Sequence, residues 1–226
     1  MEQIKTITNS EPKFYKGDIR TINGVNILSD IMKSNDIDSI MHFAAFKSVN
    51  ESVNNPLKYY NNNISGTISL LEMMKENNVK NIIFSSSCTV YGQPDKYPVC
   101  EETLTKKPES PYGETKQVCE NILENTSKKE DINVVSLRYF NPIGCHHSGL
   151  LSDTPKGTPE NLMPYIIGVL KKEYEYLRVF GNDYNTKDGS AIRDYIDISD
   201  LAEAHVKALD IVSKNSYQNI NVGSGC

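Results

Sequence analysis

Ser85-Ser86-Ser87-Cys88-Thr89-Val90-Tyr91-Gly92, then a polar loop, then Ser110-Pro111-Tyr112-Gly113-Glu114-Thr115-Lys116, is the stretch on which the fold of this chain turns. The first block ends a buried strand, because Asn81-Ile82-Ile83-Phe84 is a short apolar run that breaks into serines. The second block opens a helix, with Ser110 as N-cap and Pro111 at the first helical position. Tyr112 and Lys116 are four residues apart, so they share one face of that helix.

That spacing has a chemical use. A free phenol has a pKa of about 10 and is a poor base at neutral pH. Lowering it by about 3 units takes roughly 4 kcal/mol of differential stabilisation. One ammonium at about 4 Å in an intermediate dielectric supplies about that much. A serine hydroxyl from the neighbouring strand end can then hold a substrate hydroxyl against the phenolate. A bare Tyr-x-x-x-Lys is more often an ordinary surface pair. The serine-rich strand end upstream shifts the balance towards a site.

Outward from that centre, strands and helices alternate. On the N-terminal side, Met1 to Pro12 has little pattern and is expected to fray, and Lys13-Phe14-Tyr15-Lys16 reads as a short strand closed by Gly17. A helix is predicted over Val25 to Asn35, and a buried strand over Ser39 to Phe43 that ends in the small residues Ala44 and Ala45. Small residues there let a ligand approach the backbone at the carboxyl end of a strand, where open α/β sheets bind ligands. Pro56 starts a long helix with Ile64, Ile68, Leu71 and Met74 at helical period. Its three asparagines, Asn61, Asn62 and Asn63, are of a kind usually solvated.

On the C-terminal side, strand Ile82 to Ser86 and helix Tyr112 to Thr126 lead to strand Asn133 to Phe140. Pro142, Gly144, Gly149, Pro155, Gly157 and Pro159 then make a loop-rich insertion. Asn161 caps a helix through about Glu173, Leu177 to Phe180 reads as a strand, Ser199 caps a helix through Val212, and Tyr217 to Val222 is the last strand. Strands alternating with helices predict an α/β fold with a parallel, doubly wound sheet.

Composition narrows the function. The chain has 226 residues, 38% of them hydrophobic, enough for a core. A net charge of −5 argues against a nucleic-acid partner. No apolar run approaches membrane-spanning length, and Met1 to Ile19 lacks signal-peptide form. The five cysteines are scattered without paired or metal-ligand spacing, which fits reduced thiols and a cytoplasmic location. With four histidines, two of them adjacent, no metal site is expected.

Further blocks complete a pattern: His42-Phe43-Ala44-Ala45-Phe46-Lys47-Ser48-Val49, Tyr59-Tyr60-Asn61-Asn62-Asn63, Leu137-Arg138-Tyr139-Phe140-Asn141-Pro142, Asn161-Leu162-Met163-Pro164-Tyr165, and Phe180-Gly181-Asn182-Asp183-Tyr184 to Arg193-Asp194-Tyr195. In that order they resemble the extended short-chain dehydrogenase/reductases, and within them the UDP-glucose 4-epimerases, from Lys13 to Gly225. The resemblance implies an NAD-binding Rossmann-type domain over residues 1–141, re-entered at about 196–222, and part of a UDP-sugar-binding domain over 142–195. It implies Tyr112, Lys116 and Ser87 as catalytic residues. NAD is expected against Asp18, Ile19, Phe43, Ala44, Ala45, Lys47, Asn62, Ser87, Tyr112, Lys116 and Phe140. UDP-glucose or UDP-galactose is expected against Ser87, Tyr112, Asn141, Asn161, Leu162 and Arg193, with N-acetylated UDP-sugars also admissible. Arg193 suits a diphosphate through its fixed fork of donors; a plain structural arginine is the other reading. Taken without the family, Asp18 after Gly17 is a turn residue and Lys47 a solvated one.

In the implied reaction Tyr112 takes the proton from the sugar 4-hydroxyl, the hydride leaves C4, and the 4-keto sugar turns over and is reduced on its other face. Ser87 bonds the 4-oxygen, and Lys116 tunes Tyr112. A nucleotide-sugar dehydratase is a second enzyme reading. Those proteins carry an Asp-Glu pair before Val-Tyr-Gly, whereas this chain has Cys88 and Thr89.

One element is missing from the resemblance. A dinucleotide site needs a glycine-rich strand-to-helix turn for the pyrophosphate, and no Gly-x-Gly-x-x-Gly occurs. Gly223-Ser224-Gly225 matches a different turn of the family. The first βαβ unit is therefore expected to be absent and the Ile40 to Phe43 strand to form an apolar edge. This makes an inactive fragment, or a subunit completed by a second copy or a complementing chain, the remaining alternative.

Overall fold

The computed structural model describes residues 1–155, 157–179, 181–214 and 216–225. The strands are β1 (Ser39–His42), β2 (Asn81–Ser87), β3 (Asn133–Tyr139), β4 (Asn141–Ile143), β5 (Tyr195–Asp197) and β6 (Tyr217–Val222). The helices are α1 (Glu2–Thr8), α2 (Ile22–Ser34), α3 (Val49–Asn54), α4 (Pro56–Tyr59), α5 (Gly66–Glu76), α6 (Pro111–Ser127), α7 (Leu162–Leu170) and α8 (Ile198–Val212). The chain divides into a larger unit, Lys13–Tyr139 with Glu203–Val222, and a smaller one built from Met1–Pro12, Phe140–Ala202 and the residues from Gly223 on. Among the described residues no helix is long and apolar enough to cross a membrane.

The larger unit holds a four-stranded sheet in the order β1-β2-β3-β6, parallel throughout, so the fold is α/β as expected. Its register pairs Ser87 with Tyr139 and Tyr139 with Val222, which brings the carboxyl ends of β2, β3 and β6 level, while β1 stops earlier, with His42 opposite Phe84. Ile82, Ile83, Val134 and Val135 are buried at neighbouring positions in β2 and β3. Such runs belong to strands covered on both faces. Ile82, Phe84 and Val134 pack with Met32 of α2, Leu70, Leu71 and Met74 of α5, and Cys119 and Leu123 of α6. β1 stands at the end of the order, and only His42 in it is fully buried. The expected edge strand is present, one residue shorter than the sequence suggested.

α6 forms where the sequence places it. The Ser110 hydroxyl accepts from the Gly113 N–H at 3.2 Å, and Pro111 fills the first turn. Gly113 has a steric reason: a Cβ there would lie 2.9 Å from Pro108 and 3.2 Å from Thr89. The helix start can thus press against the turn that follows β2.

Several expectations are corrected. Residues 2–8 form a helix rather than a frayed end, closed by Asn9 in the left-handed region and by a Lys5–Glu11 ion pair. Lys13 to Lys16 form no strand; Phe14 and Tyr15 are exposed, and a lone extended segment has no neighbour for its backbone groups. α2 starts at Ile22, capped by the Thr21 hydroxyl, ahead of the predicted Val25. The single long helix from Pro56 is α4, a π-helical stretch Tyr60–Ser65, and α5, and α3 precedes it. α7 ends at Leu170 rather than Glu173. Leu177 to Val179 form no strand, and Phe180 lies outside the described residues. Ser199 is inside α8; the Asp197 carboxylate accepts its N–H at 2.7 Å and takes the capping role.

In the smaller unit β4 and β5 pair in parallel, Asn141 opposite Tyr195 and Ile143 opposite Asp197.

Candidate active site

Strand alternation sends the serines of β2 to opposite sides. Ser86 donates to Glu120 Oε1 at 2.6 Å. Glu120 also receives the Arg138 fork, from Nε at 3.0 Å and from Nη2 at 2.8 Å. Arg138 Nη1 donates to the Tyr91 hydroxyl at 2.9 Å, and Tyr91 donates to Asn221 Oδ1 at 2.7 Å. Burial works against the Arg138 charge, but the Glu120 carboxylate outweighs it and holds the guanidinium above its ordinary value. A buried pair with every hydrogen-bonding group engaged fixes geometry more than it adds net stability. Here it clamps β2 and β3 to α6 directly behind the serine-rich strand end.

Ser87 closes β2 and is itself nearly buried. Its oxygen accepts from the Thr89 N–H at 3.2 Å and the Thr89 hydroxyl at 2.9 Å. Tyr112 comes to it from the first turn of α6. Burial pushes the Tyr112 phenol up, the Ser87 hydroxyl pulls it down, and neighbouring Cys88 pushes it up again. One turn on, Lys116 is almost fully buried. Its Nζ donates to the Ser85 carbonyl at 2.5 Å and lies 4.9 Å from the Phe84 ring centroid and 5.9 Å from that of Tyr112. Burial lowers its pKa to about 8, against the pull of Cys119 and Glu120.

The three residues read as catalytic therefore meet at one strand end. In this arrangement burial is the largest influence on the Tyr112 phenol, and Ser87 is the group that favours its ionised form. The Lys116 ammonium is turned to a backbone carbonyl, and burial, which disfavours a phenolate, decides the direction.

Around this centre the larger unit supplies two groups to which the sequence assigned no role, His42 and Asn63. His42 ends β1 with Nε2 at 3.1 Å from the Thr67 hydroxyl; burial, then the Lys116 charge, push it down to about 4. Asn63 is buried in the π-helical stretch. Its Oδ1 accepts from the Phe46 N–H at 2.9 Å and from Asn62 Nδ2 at 2.9 Å. Its Nδ2 donates to the Phe46 carbonyl at 3.1 Å and to Thr115 Oγ1 at 3.0 Å. Thr115 in turn donates to the Tyr112 carbonyl at 2.7 Å. One side-chain amide thus joins the loop after β1 to the helix turn that carries Tyr112 and Lys116. π-helical insertions often mark such places. Phe43 is exposed, with its ring 4.8 Å from that of His205, and His205 Nε2 hydrogen-bonds the Tyr139 hydroxyl.

The other predicted contacts are more dispersed. Ala44, Ala45 and exposed Lys47 lie in the loop between β1 and α3. Asp18 and Ile19 lie in a turn before α2. Three hydrogen bonds from Arg20, two from its guanidinium and one from its backbone N–H, hold the Asp18 carboxyl down at about 2, and Ile19 packs near Gly66. In the smaller unit Phe140 and Asn141 lie at β4, and Asn161 and exposed Leu162 at the start of α7. Asn161 occupies the cap position but makes no cap hydrogen bond; its amide donates to Asp153 at 3.3 Å. Arg193 is exposed just before β5.

The chain is similar to known proteins along its whole length. A UDP-glucose 4-epimerase from Neisseria meningitidis serogroup C is 47% identical over 227 residues, and one from Bacillus subtilis (strain 168) is 44% identical over 227 residues. Each alignment takes in 100% of this chain and 66% of the relative, so the chain spans just under two thirds of the length of these curated relatives. The crystal structure of UDP-glucose 4-epimerase from Bifidobacterium longum in complex with NAD+ and UDP superposes with a TM-score of 0.94 at 44% identity, covering 100% of this chain and 67% of that one. The structure of the Brucella ovis epimerase in complex with NAD gives 0.87 at 37% identity, over 95% of this chain and 65% of that one. The sequence pattern of the NAD dependent epimerase/dehydratase family matches residues 2–223, and the chain belongs to that family.

Proposed function

We propose that this chain carries the catalytic centre of a UDP-glucose 4-epimerase, which interconverts UDP-glucose and UDP-galactose through a 4-keto sugar. The observation that carries this reading is the meeting of Ser87, Tyr112 and Lys116 at the carboxyl end of β2. The larger unit would be the NAD-binding domain, Rossmann-type and without its first βαβ unit; the smaller would hold part of the UDP-sugar site.

The donor set fits the nicotinamide half of NAD. An ammonium, serine hydroxyls and an exposed aromatic ring lie at the carboxyl ends of parallel strands, where open α/β sheets bind ligands. Phe43, Ala44, Ala45, Asn62, Ser87, Tyr112, Lys116 and Phe140 would hold that half, and Asp18, Ile19 and Lys47 the rest. NAD supplies a hydride acceptor and donor when bound. The chain's own residues do the remainder. Tyr112 takes the proton of the sugar 4-hydroxyl and later returns it. Ser87, its lone pairs already taken by Thr89, has one proton to give and would turn it from Tyr112 to the 4-oxygen of a bound sugar. Asn141, Asn161, Leu162 and Arg193 would hold the UDP portion while the sugar turns.

A second reading, an inactive fragment or a subunit needing a complementing chain, is supported by the lack of any Gly-x-Gly-x-x-Gly. The dehydratase reading loses support because Cys88 and Thr89 cannot serve as acid and base near neutral pH. The test is a chimera in which the unmatched segments of the Bifidobacterium longum enzyme complete this chain. Turnover of UDP-galactose is expected, with Tyr112→Phe lowering it by at least about 100-fold. Near-full turnover in that variant would remove Tyr112 as the base. No turnover in the unsubstituted chimera would favour the inactive reading.

A further inference from the structure

Five hydrogen bonds converge on Asp194. Its Oδ1 accepts from the Ser224 N–H at 2.8 Å and the Ser224 hydroxyl at 2.7 Å, and its Oδ2 from the Gly225 N–H at 3.1 Å. Its backbone carbonyl accepts from the Asn141 N–H at 3.0 Å and from Asn141 Nδ2 at 2.8 Å. The approach is close enough that a Cβ on Gly223 would lie 2.5 Å from Asp194 Oδ2. Burial pushes the carboxyl up, but the donors of Ser224 and Gly225 outweigh it and hold the group below its ordinary value.

We propose that Asp194 is a positioning residue for diphosphate recognition, a latch that holds Asn141, Arg193 and the turn at 223–225 in one fixed arrangement. The proposal rests on the UDP-sugar reading given above. The latch acts in three ways. Its backbone carbonyl takes up the Asn141 backbone N–H and one N–H of the side-chain amide, so that the amide is held with its Oδ1 and second N–H to offer a ligand. It anchors the chain one residue after exposed Arg193, whose Nη1 donates to the Ile192 carbonyl at 3.0 Å and whose fork can face an anion with its other donors. It also keeps a carboxylate away from that fork. An Asp194 released from the turn would be the nearest negative charge along the chain and would compete with a diphosphate for Arg193.

The experiment is a titration of the 226-residue chain with UDP and, separately, with uridine, which lacks the diphosphate, followed by NMR or calorimetry. Melting curves are recorded alongside. Asp194→Asn keeps the shape but converts one acceptor oxygen to a donor. Ser224→Ala removes a single hydrogen bond, and Gly223→Ala strains the latch from the other side; neither touches Arg193 or Asn141. Asp194→Asn is expected to weaken UDP binding by about tenfold, the factor that goes with losing one hydrogen bond to a charged group. Gly223→Ala should act in the same direction and Ser224→Ala less, with uridine binding changed by about twofold or less in all three. Unchanged UDP affinity in Asp194→Asn and Gly223→Ala would overturn the latch and leave the UDP reading standing. Equal losses for UDP and uridine would also overturn it, since they would show a general structural role. Failure of the unsubstituted chain to bind UDP would overturn the UDP reading and the latch with it.

Discussion

His42 shows how far a single side chain can depart from what its type suggests. In solution an imidazole titrates near 6.5; buried at the end of β1 and facing the Lys116 charge, it falls to about 4. Between those two values the unfolded chain binds a proton that the folded chain refuses. Stability therefore drops as pH falls through the window from 6.5 to about 4, by at most about 3 kcal/mol from this group. His42→Gln keeps a partner for Thr67 and has nothing to titrate. Denaturant unfolding at pH 7 and at pH 4.5 should show a smaller acid loss in the variant than in the parent. Parallel losses would mean that the His42 proton plays no part. Lys116 carries the same lesson. Its place beside Tyr112 was readable, because residues four apart on a helix are neighbours whatever surrounds them. The direction of the phenol shift was not readable, because burial and the Ser85 carbonyl come from other elements.

At the scale of elements, β2 and α6 were legible almost to the residue, and the region between β1 and α5 was not. Ser110 and Pro111 are local signals that act on the backbone beside them. Three consecutive asparagines carry no such signal; which of them turns inward is set by the π-helical stretch. That stretch buries Asn63 and leaves Asn62, the residue marked by family resemblance, bonded to it. All four hydrogen-bonding positions of the Asn63 amide are taken, two as donor and two as acceptor. Asn63→Ala should therefore cost about 2–4 kcal/mol in urea unfolding, since it strips the Phe46 backbone and Thr115 of a buried partner. Asn63→Asp should be at least as harmful, because an added charge would face the Phe46 carbonyl. A loss under about 0.5 kcal/mol in both variants would show that the clamp is dispensable.

At the scale of the whole chain, β1 stands at the end of the strand order among the described residues. An edge strand offers unpaired backbone groups to any neighbour, and Ile40 and Met41 in β1 are only half-buried. The 226-residue chain is expected to self-associate with rising concentration and to hold NAD more weakly than micromolar, because no glycine turn is present to receive the pyrophosphate. Sedimentation velocity and an NAD titration on the same preparation test both halves. A monodisperse monomer with micromolar NAD affinity would show that other residues replace the glycine turn.

The sequence alone determined the alternation of strands and helices, the parallel sheet, the pairing of Tyr112 with Lys116, and the family. The first three rest on spacing along the chain, which acts over a few residues and survives any change in surroundings; the family rests on the resemblance of its ordered blocks. Only the tertiary structure decided that Lys116 is buried against a strand carbonyl, that Asn63 rather than Asn62 is the clamp, that Glu120 and Arg138 brace the serine strand, and that Asp194 holds the turn at 223–225. Those partners lie 18 to 52 residues apart in the chain. A contact over such a separation exists only once the sheet and its helices have brought the two segments together.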